Sequence, residues 1–477
     1  MKRINLLFLF VAVCGLASAQ AIPSHEQYVS IGSSSKAWYQ AYENWLPGTA
    51  LYDGTDAAEN EQFFISRVKP RERFTFEGTQ VKESLNPERK LLWWCPIGNA
   101  EDNWNALPSY WFGGEVFSMW SYTDIYNNWS SPMIQAPAAF LDACHKNGVR
   151  SGVTANVGYG AYPSPTDGSH GSNINALVSQ GYDKLLQYLR YYGVDGVGIN
   201  SQFVWSNLDP AGYKKLMGEC YDNADDYGVP FNNTWWSYVL NNGLQLGDCS
   251  FLNSSCDEWF HYQGKKVSDA YFLNYNWGSL QLNTSKTTAE ALERSSFDLY
   301  AGMDYQGRSS AVWTALKNYD ISVGLWGAHK MNMIYENRGE LGSSPIQIQK
   351  TYQLISENSF TGSSYNPVNT PAISDILCHT STATNFHGFS SFITARSTLT
   401  PQDGGTLATD PFVTYFNLGN GMFFKEDGVT TFDHEWYNLG MQDFLPTWRW
   451  WWTSKYMGKN ASDASTDMTA EFTWDDA

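Results

Sequence analysis

Positive charge is scarce in this sequence. Its 477 residues carry 30 Lys and Arg against 48 Asp and Glu, a net charge of −18. Phosphate binding needs clustered cations, and no basic stripe is present, which argues against a nucleic-acid partner. Metal-ligand spacing is also missing. The 8 histidines are scattered without H-x-H or H-E-x-x-H spacing, and the 7 cysteines contain no C-x-x-C pair. No metal ion or other cofactor is expected from such a set. A G-x-S-x-G elbow, a Walker loop and a complete G-x-G-x-x-G are absent too. Beyond the first few residues, no run is apolar enough over about 20 residues to span a membrane.

Aromatic residues, by contrast, are abundant: 21 Trp, 29 Tyr and 26 Phe, with charged residues at only 16%. Such a composition argues against disorder. An acidic, tryptophan-rich chain suits neutral ligands with flat apolar faces, such as sugars, although any single Trp is read first as core. The N-terminus reads as a secretory signal over residues 1–19. Lys2 and Arg3 precede the apolar run Leu6–Val13, and Ala17-Ser18-Ala19 supplies an A-x-A cleavage site before Gln20. The expectation is an exported protein: periplasmic, cell-surface or secreted. Export permits disulfides. Cys249 and Cys256 are near enough in sequence to close a loop, but spacing leaves the pairing open.

From residue 91 the chain repeats one theme. Apolar runs rich in aromatic and β-branched residues fall at Leu91–Pro96, Asp124–Ser130, Val149–Asn156, Val194–Ser201, Val229–Trp236, Asp269–Trp277, Phe297–Tyr305 and Ile321–His329. Helical patterns lie between them. Pro137–Lys146 stops at Asn147-Gly148, Ile174–Tyr192 stops at Gly193, and Pro210–Tyr227 stops at Gly228. Further helices are expected at Thr287–Arg294 and Ala311–Asn318. Strands alternating with helices predict an α/β fold with a parallel sheet. The span 91–329 is close to the roughly 250 residues of a (β/α)8 TIM barrel. An open doubly wound sheet is the alternative, but its glycine-rich phosphate turn is absent.

In such a barrel, function sits where the strands end. These ends are polar and aromatic: Asn156 on the third strand, Asn200 and Gln202 on the fourth, Trp235 and Trp236 on the fifth. Asn274, Tyr275 and Trp277 close the sixth, Asp304 and Tyr305 the seventh, and Trp326 and His329 the eighth. Indole faces cover the apolar faces of sugars and amides bond their hydroxyls, so a ring of this kind predicts a carbohydrate site. About half of these indoles are expected to pack the interior or lie under loops instead.

Several stretches then resemble glycoside hydrolase family 85, the endo-β-N-acetylglucosaminidases. They are KKVSDAYFLNYNW (265–277), FDLYAGMDYQGR (297–308), PFVTYFNLGNG (411–421) and QDFLPTWRWWW (442–452). More loosely, FSMWSYTDIYNNWSS (117–131) and FLDACHKNGVRSGVT (140–154) match the same family. The resemblance implies a (β/α)8 barrel over 90–455, after a lead-in at 20–89. It also implies that 456–477 is a linker and the truncated start of a C-terminal β-sandwich module. The implied activity is cleavage within the di-N-acetylchitobiose core of N-linked glycans or glycoproteins. The implied mechanism is substrate-assisted: the sugar's own 2-acetamido oxygen attacks the anomeric carbon and forms an oxazolinium.

The family pattern is Asp-Gly, a short apolar run, then Asn-x-Glu. Here Asp195-Gly196 leads to Asn200-Ser201-Gln202. Asn200 matches the residue that orients the acetamide. Gln202 stands where the family has its acid/base glutamate, and an amide can neither release nor take the proton. Trp236 stands where a tyrosine is expected, and Tyr238 is near enough to replace its hydroxyl. Asn156, Asn274, Trp277, Asp304 and Trp326 complete the implied substrate-binding set. Three readings follow: a glycosidase working despite Gln202, through a shifted register or through another acid such as Asp304 or Glu336; a catalytically silent N-glycan-binding barrel; or a structural or adhesive protein whose aromatics are core.

Overall fold

The computed structural model describes residues 38–51, 61–75, 85–97, 116–129, 134–156, 162–163, 170–201, 208–244, 251–275, 277–305, 313–329, 345–361, 388–398 and 417–443. Eight strands form a closed parallel barrel. They are β1 Leu91–Cys95, β2 Ile125–Asn128, β3 Arg150–Asn156, β4 Gly196–Asn200, β5 Asn232–Trp236, β6 Ala270–Leu273, β7 Leu299–Asp304 and β8 Ser322–Trp326. Each pairs with its sequence neighbours, and β8 closes onto β1 with Leu91 opposite Val323. Every one of the eight expected apolar runs contains a strand. Following the pairing once around the circuit returns to β1 eight residues lower, the stagger that eight tilted strands need to close.

Helices cover the outside. The helix α1 spans Trp38–Asn44, α2 Ala138–Lys146, α3 Asn175–Tyr192 and α4 Pro210–Tyr227. Their ends follow the expected chemistry. The Asp209 carboxylate accepts from the Gly212 N–H at 2.9 Å at the start of α4, with proline in the first turn. Gly193 and Gly228 take left-handed backbone at the ends of α3 and α4.

The next helices differ from the sequence reading. The helix α5 runs Ser279–Ala291 and α6 Trp313–Leu316, with α7 at Pro345–Thr361 beyond the barrel. The helix expected at Thr287–Arg294 therefore begins eight residues earlier. Its first turns carry no apolar stripe (Leu280 is 72% exposed), and the Gln281 side chain caps the start by accepting from the Gly278 N–H at 3.0 Å. Between β5 and β6 the described residues hold no α-helix. A 3-10 turn at Asp257–Trp259 and a hairpin pairing His261–Tyr262 with Lys265–Lys266 take its place.

The barrel interior explains several glycines. Phe272, Trp94 and Asn127 fill the centre, and a Cβ at Gly152, Gly198, Gly302 or Gly324 would lie within 3.1 Å of one of them. The larger side chains occupy volume that those strands leave empty. The Trp94 indole is anchored there by donating to Thr154 Oγ1 at 2.9 Å.

The N-terminal end of the barrel is closed by ion pairs. An aspartate precedes β2, β4, β6 and β7, and each meets a cation. Asp124 pairs with Arg396 and, at 3.6 Å, with Arg73. Asp195 meets His145 at 3.1 Å, and Asp269 meets Lys266 at 2.7 Å and Arg150 at 3.7 Å. Asp298 meets Arg294 at 2.9 Å and Lys90 at 3.1 Å. Phe74 and Ser397 exchange backbone hydrogen bonds of 2.8 and 3.0 Å, so the lead-in and the closing segment clasp each other at this end.

Candidate functional site

Alternation along each strand sorts the C-terminal ends into two faces. Tyr300 belongs to the inner aromatic cluster and Gly302 abuts Phe272, so Asp304 continues the inward series on β7. Gly198 abuts Trp94, which puts Asn200 inward on β4. Trp236 and Trp326 belong to the same inner cluster. Asn274 follows β6 in phase with the inward Phe272. Corrected for the stagger of one residue per strand, the pairing sets Asn200, Asn274 and Trp326 at one height, a layer at the mouth, with Trp236 one residue below it and Asp304 one residue above. Asn156 pairs in register with Asn200 and ends β3 one residue above that layer.

Three other residues of the expected set stand apart. Trp277 follows the end of β6, but its indole donates to the Gly302 carbonyl at 2.8 Å and packs in the outer core. Trp235 stacks on Trp259 outside the barrel, with ring centroids 4.1 Å apart. Tyr305 also faces outward. All three belong to the outer core and not to the mouth. His329 is buried just beyond β8. Gln202 and Glu336 lie outside the described residues. Tyr238 is half-buried and packs against the inner cluster beside Trp236.

One mouth residue escaped the sequence reading. Trp129, just past β2, sits edge-on to Trp326 at 4.7 Å and is half-buried at the same layer. Its place after two asparagines at a strand end was the available signal. The mouth therefore has two unlike walls. Trp326 and Trp129, with Trp94 between their strands, form an indole wall over β8, β1 and β2. Asn200 and Asn274 give an amide character to the wall over β4 to β6, with Trp236 between them.

Trp236 is held on all sides. It stacks on Phe272 at 4.6 Å and meets Trp326, Tyr275 and Trp94 edge-on at 5.2, 5.3 and 5.6 Å. Each such pair contributes about 0.5–1.5 kcal/mol beyond area burial. Only 1% of Trp236 is exposed, so its ring face is not offered to a ligand. Backbone bonds fix the rim itself. Trp129 N–H donates to Cys95 O at 3.0 Å, Tyr305 N–H to Trp326 O at 2.9 Å, and Gly327 N–H to Trp94 O at 3.1 Å. The Ser201 hydroxyl donates to the Trp236 carbonyl, tying the end of β4 to β5.

Burial raises the Tyr275 hydroxyl well above its ordinary pKa, and the negative charge of Asp304 adds to the rise. The phenol therefore stays neutral beside the carboxylate. Among the described residues, no group of three His, Cys, Asp or Glu could hold a metal ion, and no helix is long and apolar enough to cross a membrane. The arrangement offers neutral amides, indole edges and one carboxylate, which suits a neutral polyhydroxylated ligand.

Comparison with known proteins agrees with the barrel fold. The cytosolic endo-beta-N-acetylglucosaminidase of Danio rerio is 27% identical over 230 residues, which is 44% of this chain and 30% of that protein. The glycoside hydrolase domain of Endo-D from Streptococcus pneumoniae R6 superposes with a TM-score of 0.62 at 19% identity, covering 85% of this chain and 59% of that one. The chain thus spans less than two thirds of either relative's length. The model of glycosyl hydrolase family 85 matches residues 108–424, from before β2 to the hairpin that follows the barrel. With that match over most of its length, and with the barrel and mouth described above, the chain belongs to glycosyl hydrolase family 85.

Proposed function

We propose that this chain engages the di-N-acetylchitobiose core of N-linked glycans at the barrel mouth, as an endo-β-N-acetylglucosaminidase or a close derivative of one. The observation that carries the reading is Asn200, inward and buried in a layer of amides and indoles. An amide there can bond the nitrogen of a sugar's 2-acetamido group and turn its oxygen toward C1. That oxygen bonds to C1, the C1–O glycosidic bond breaks, and the electron pair leaves with the aglycone oxygen. Water then opens the oxazolinium. The name of the Danio rerio relative supports the same substrate class.

The departing oxygen needs a proton, and Gln202 cannot give one. General acid–base catalysis is worth about 10²–10⁴-fold. Glutamine has nearly the shape of glutamate, so binding survives the exchange. The reading is therefore retained glycan binding with weak or undetectable hydrolysis. A preformed oxazoline donor, which needs no acid for departure, remains reactive through Asn200. The charged and apolar N-terminal residues 1–19 favour an exported protein acting on extracellular or periplasmic glycoproteins.

The test is an N-glycopeptide assay of the parent chain and of Gln202→Glu. Restored turnover in the variant supports the reading. Equal turnover in both would place the proton-transfer group elsewhere. A silent glycan-binding barrel is the second reading, favoured by Gln202 itself, and it predicts binding without turnover of glycopeptide or oxazoline.

A further inference from the structure

Asp304 is, among the described residues, the one carboxylate at an inward position of the mouth. The other aspartates at strand ends lie at the opposite end of the barrel, where each meets a cation. Asp304 is half-buried at the end of β7, opposite Trp326 in the pairing of β7 with β8 and close to the Tyr275 hydroxyl. It stands where the amide wall meets the indole wall.

Its position around the circuit matters more than its neighbours. Asn200 is on β4 and Asp304 on β7, three strands apart in an eight-stranded barrel, so the two stand on opposing walls of the mouth, with Asp304 one residue higher. A pyranose ring held by its 2-acetamido group at Asn200 turns its C2 and neighbouring C1 toward β4. The atoms farthest from C2 are those of the C4–C6 edge, and they point at β7. In a chain joined through C4, the hydroxyl free on that edge is the C6 hydroxyl.

Given the N-glycan reading of this mouth, we infer that Asp304 accepts a hydrogen bond from the C6 hydroxyl of the sugar whose acetamido group Asn200 holds, and so sets which way round that sugar lies. Asp304 is then a positioning residue on the far wall. The scissile bond at C1 lies on the Asn200 side, so the aspartate does not carry the proton that Gln202 fails to supply. A carboxylate suits the task because it only accepts, and a sugar hydroxyl always has a hydrogen to donate. Hydrogen bonds to charged groups are also the stronger class.

The experiment uses the full chain carrying Gln202→Glu, so that turnover is measurable. Steady-state kinetics are taken on an N-glycopeptide and on a synthetic analogue whose cleaved N-acetylglucosamine lacks the C6 hydroxyl. Asp304→Ala should raise KM about tenfold to hundredfold on the ordinary substrate, leave kcat and the shape of the pH–rate profile nearly unchanged, and add no further loss on the deoxy analogue. Asp304→Asn, close in size to the parent, should give a smaller rise in KM, and thermal melts of both variants check that they fold. A fall in kcat with KM unchanged and loss of one pH limb would overturn the assignment by making Asp304 a proton carrier. Equal losses on both substrates would overturn it by uncoupling Asp304 from the C6 hydroxyl. If Gln202→Glu turns over while Asp304→Ala keeps its KM, the assignment alone falls. If Gln202→Glu shows no turnover and calorimetry finds no glycopeptide binding by the parent chain, the N-glycan reading falls and takes the assignment with it.

Discussion

The two ends of the barrel are built from opposite materials. At the N-terminal end four aspartates, one before each of β2, β4, β6 and β7, meet cations, several of them brought from far along the chain. At the C-terminal end the inward residues are amides and indoles with one carboxylate. Charge at the first end is neutralised by charge, which pins strands to the lead-in and closing segments. At the second end backbone bonds fix the rim around a layer of amide and indole side chains. On the proposed reading, stability and function are assigned to different ends, an arrangement usual for this architecture.

The largest expected effect sharpens this separation. Gln202→Glu should raise glycopeptide hydrolysis by about 10²–10⁴-fold while leaving the thermal midpoint nearly unmoved. Asp124→Ala should do the reverse. It removes the acceptor shared by Arg73 and Arg396, and breaking a buried pair costs about 3–5 kcal/mol. Burial already draws the Arg73 pKa down to about 10, against the pull of Asp124, so that guanidinium tolerates little further loss. Urea denaturation should show the deficit, with activity per folded molecule unchanged. Asn200→Ala in the Gln202→Glu background should lower kcat by about 10²–10³-fold, the usual loss for one preorganised group at a reacting centre. A comparable loss of stability instead would show that Asn200 belongs to the barrel's scaffold.

A smaller effect concerns pH. His145 is buried between the Val68 carbonyl at 2.6 Å and Asp195, so both ring nitrogens face acceptors. Burial pulls the imidazole down, but the hydrogen bond and charge of Asp195 outweigh it, and the pKa is raised above 6.5. The folded protein therefore holds this proton more tightly than the unfolded chain. Its contribution is complete below about pH 6.5 and fades as pH rises through the higher folded value. Glu61 acts in the same direction lower down, because burial raises it from 4.5 to about 7. Thermal midpoints should fall as pH rises from about 5 to about 8. His145→Gln should flatten the upper part of that slope and Glu61→Gln the lower. The smallest effect is expected from Lys265→Ala. It breaks a solvent-exposed pair with Asp222 that water and salt screen, so the thermal midpoint should stay indistinguishable from that of the parent.

The barrel was legible because its strands are short apolar runs, most of them ended by glycine, proline or an amide, and all eight runs hold a strand. The mouth was legible in part for the same reason: a polar residue closing an apolar strand must face something. Alternation separates Trp236, inside, from Trp235, outside, once the inward phase of β5 is known. It gives no guidance for Trp277, which lies past the strand end, where a bond to Gly302 decides its direction. The helix α5 was misplaced because its buried positions, Leu282, Ser285 and Ala289, include only one large apolar residue, and helical periodicity is read from apolar residues. The paired N-terminal end was not legible at all. Asp124 and Arg396 are 272 residues apart, and only the closed circuit brings them together.

The glycines inside β3, β4, β7 and β8 carry a consequence for how anything can enter this protein. By giving up their side chains they let Trp94, Asn127 and Phe272 plug the barrel immediately beneath the mouth layer. Within the described residues the barrel is therefore closed by side chains directly below its strand ends. On the proposed glycan reading, a branched oligosaccharide does not thread downward end-first but lies across the strand ends, so the reach of what is recognised is measured sideways.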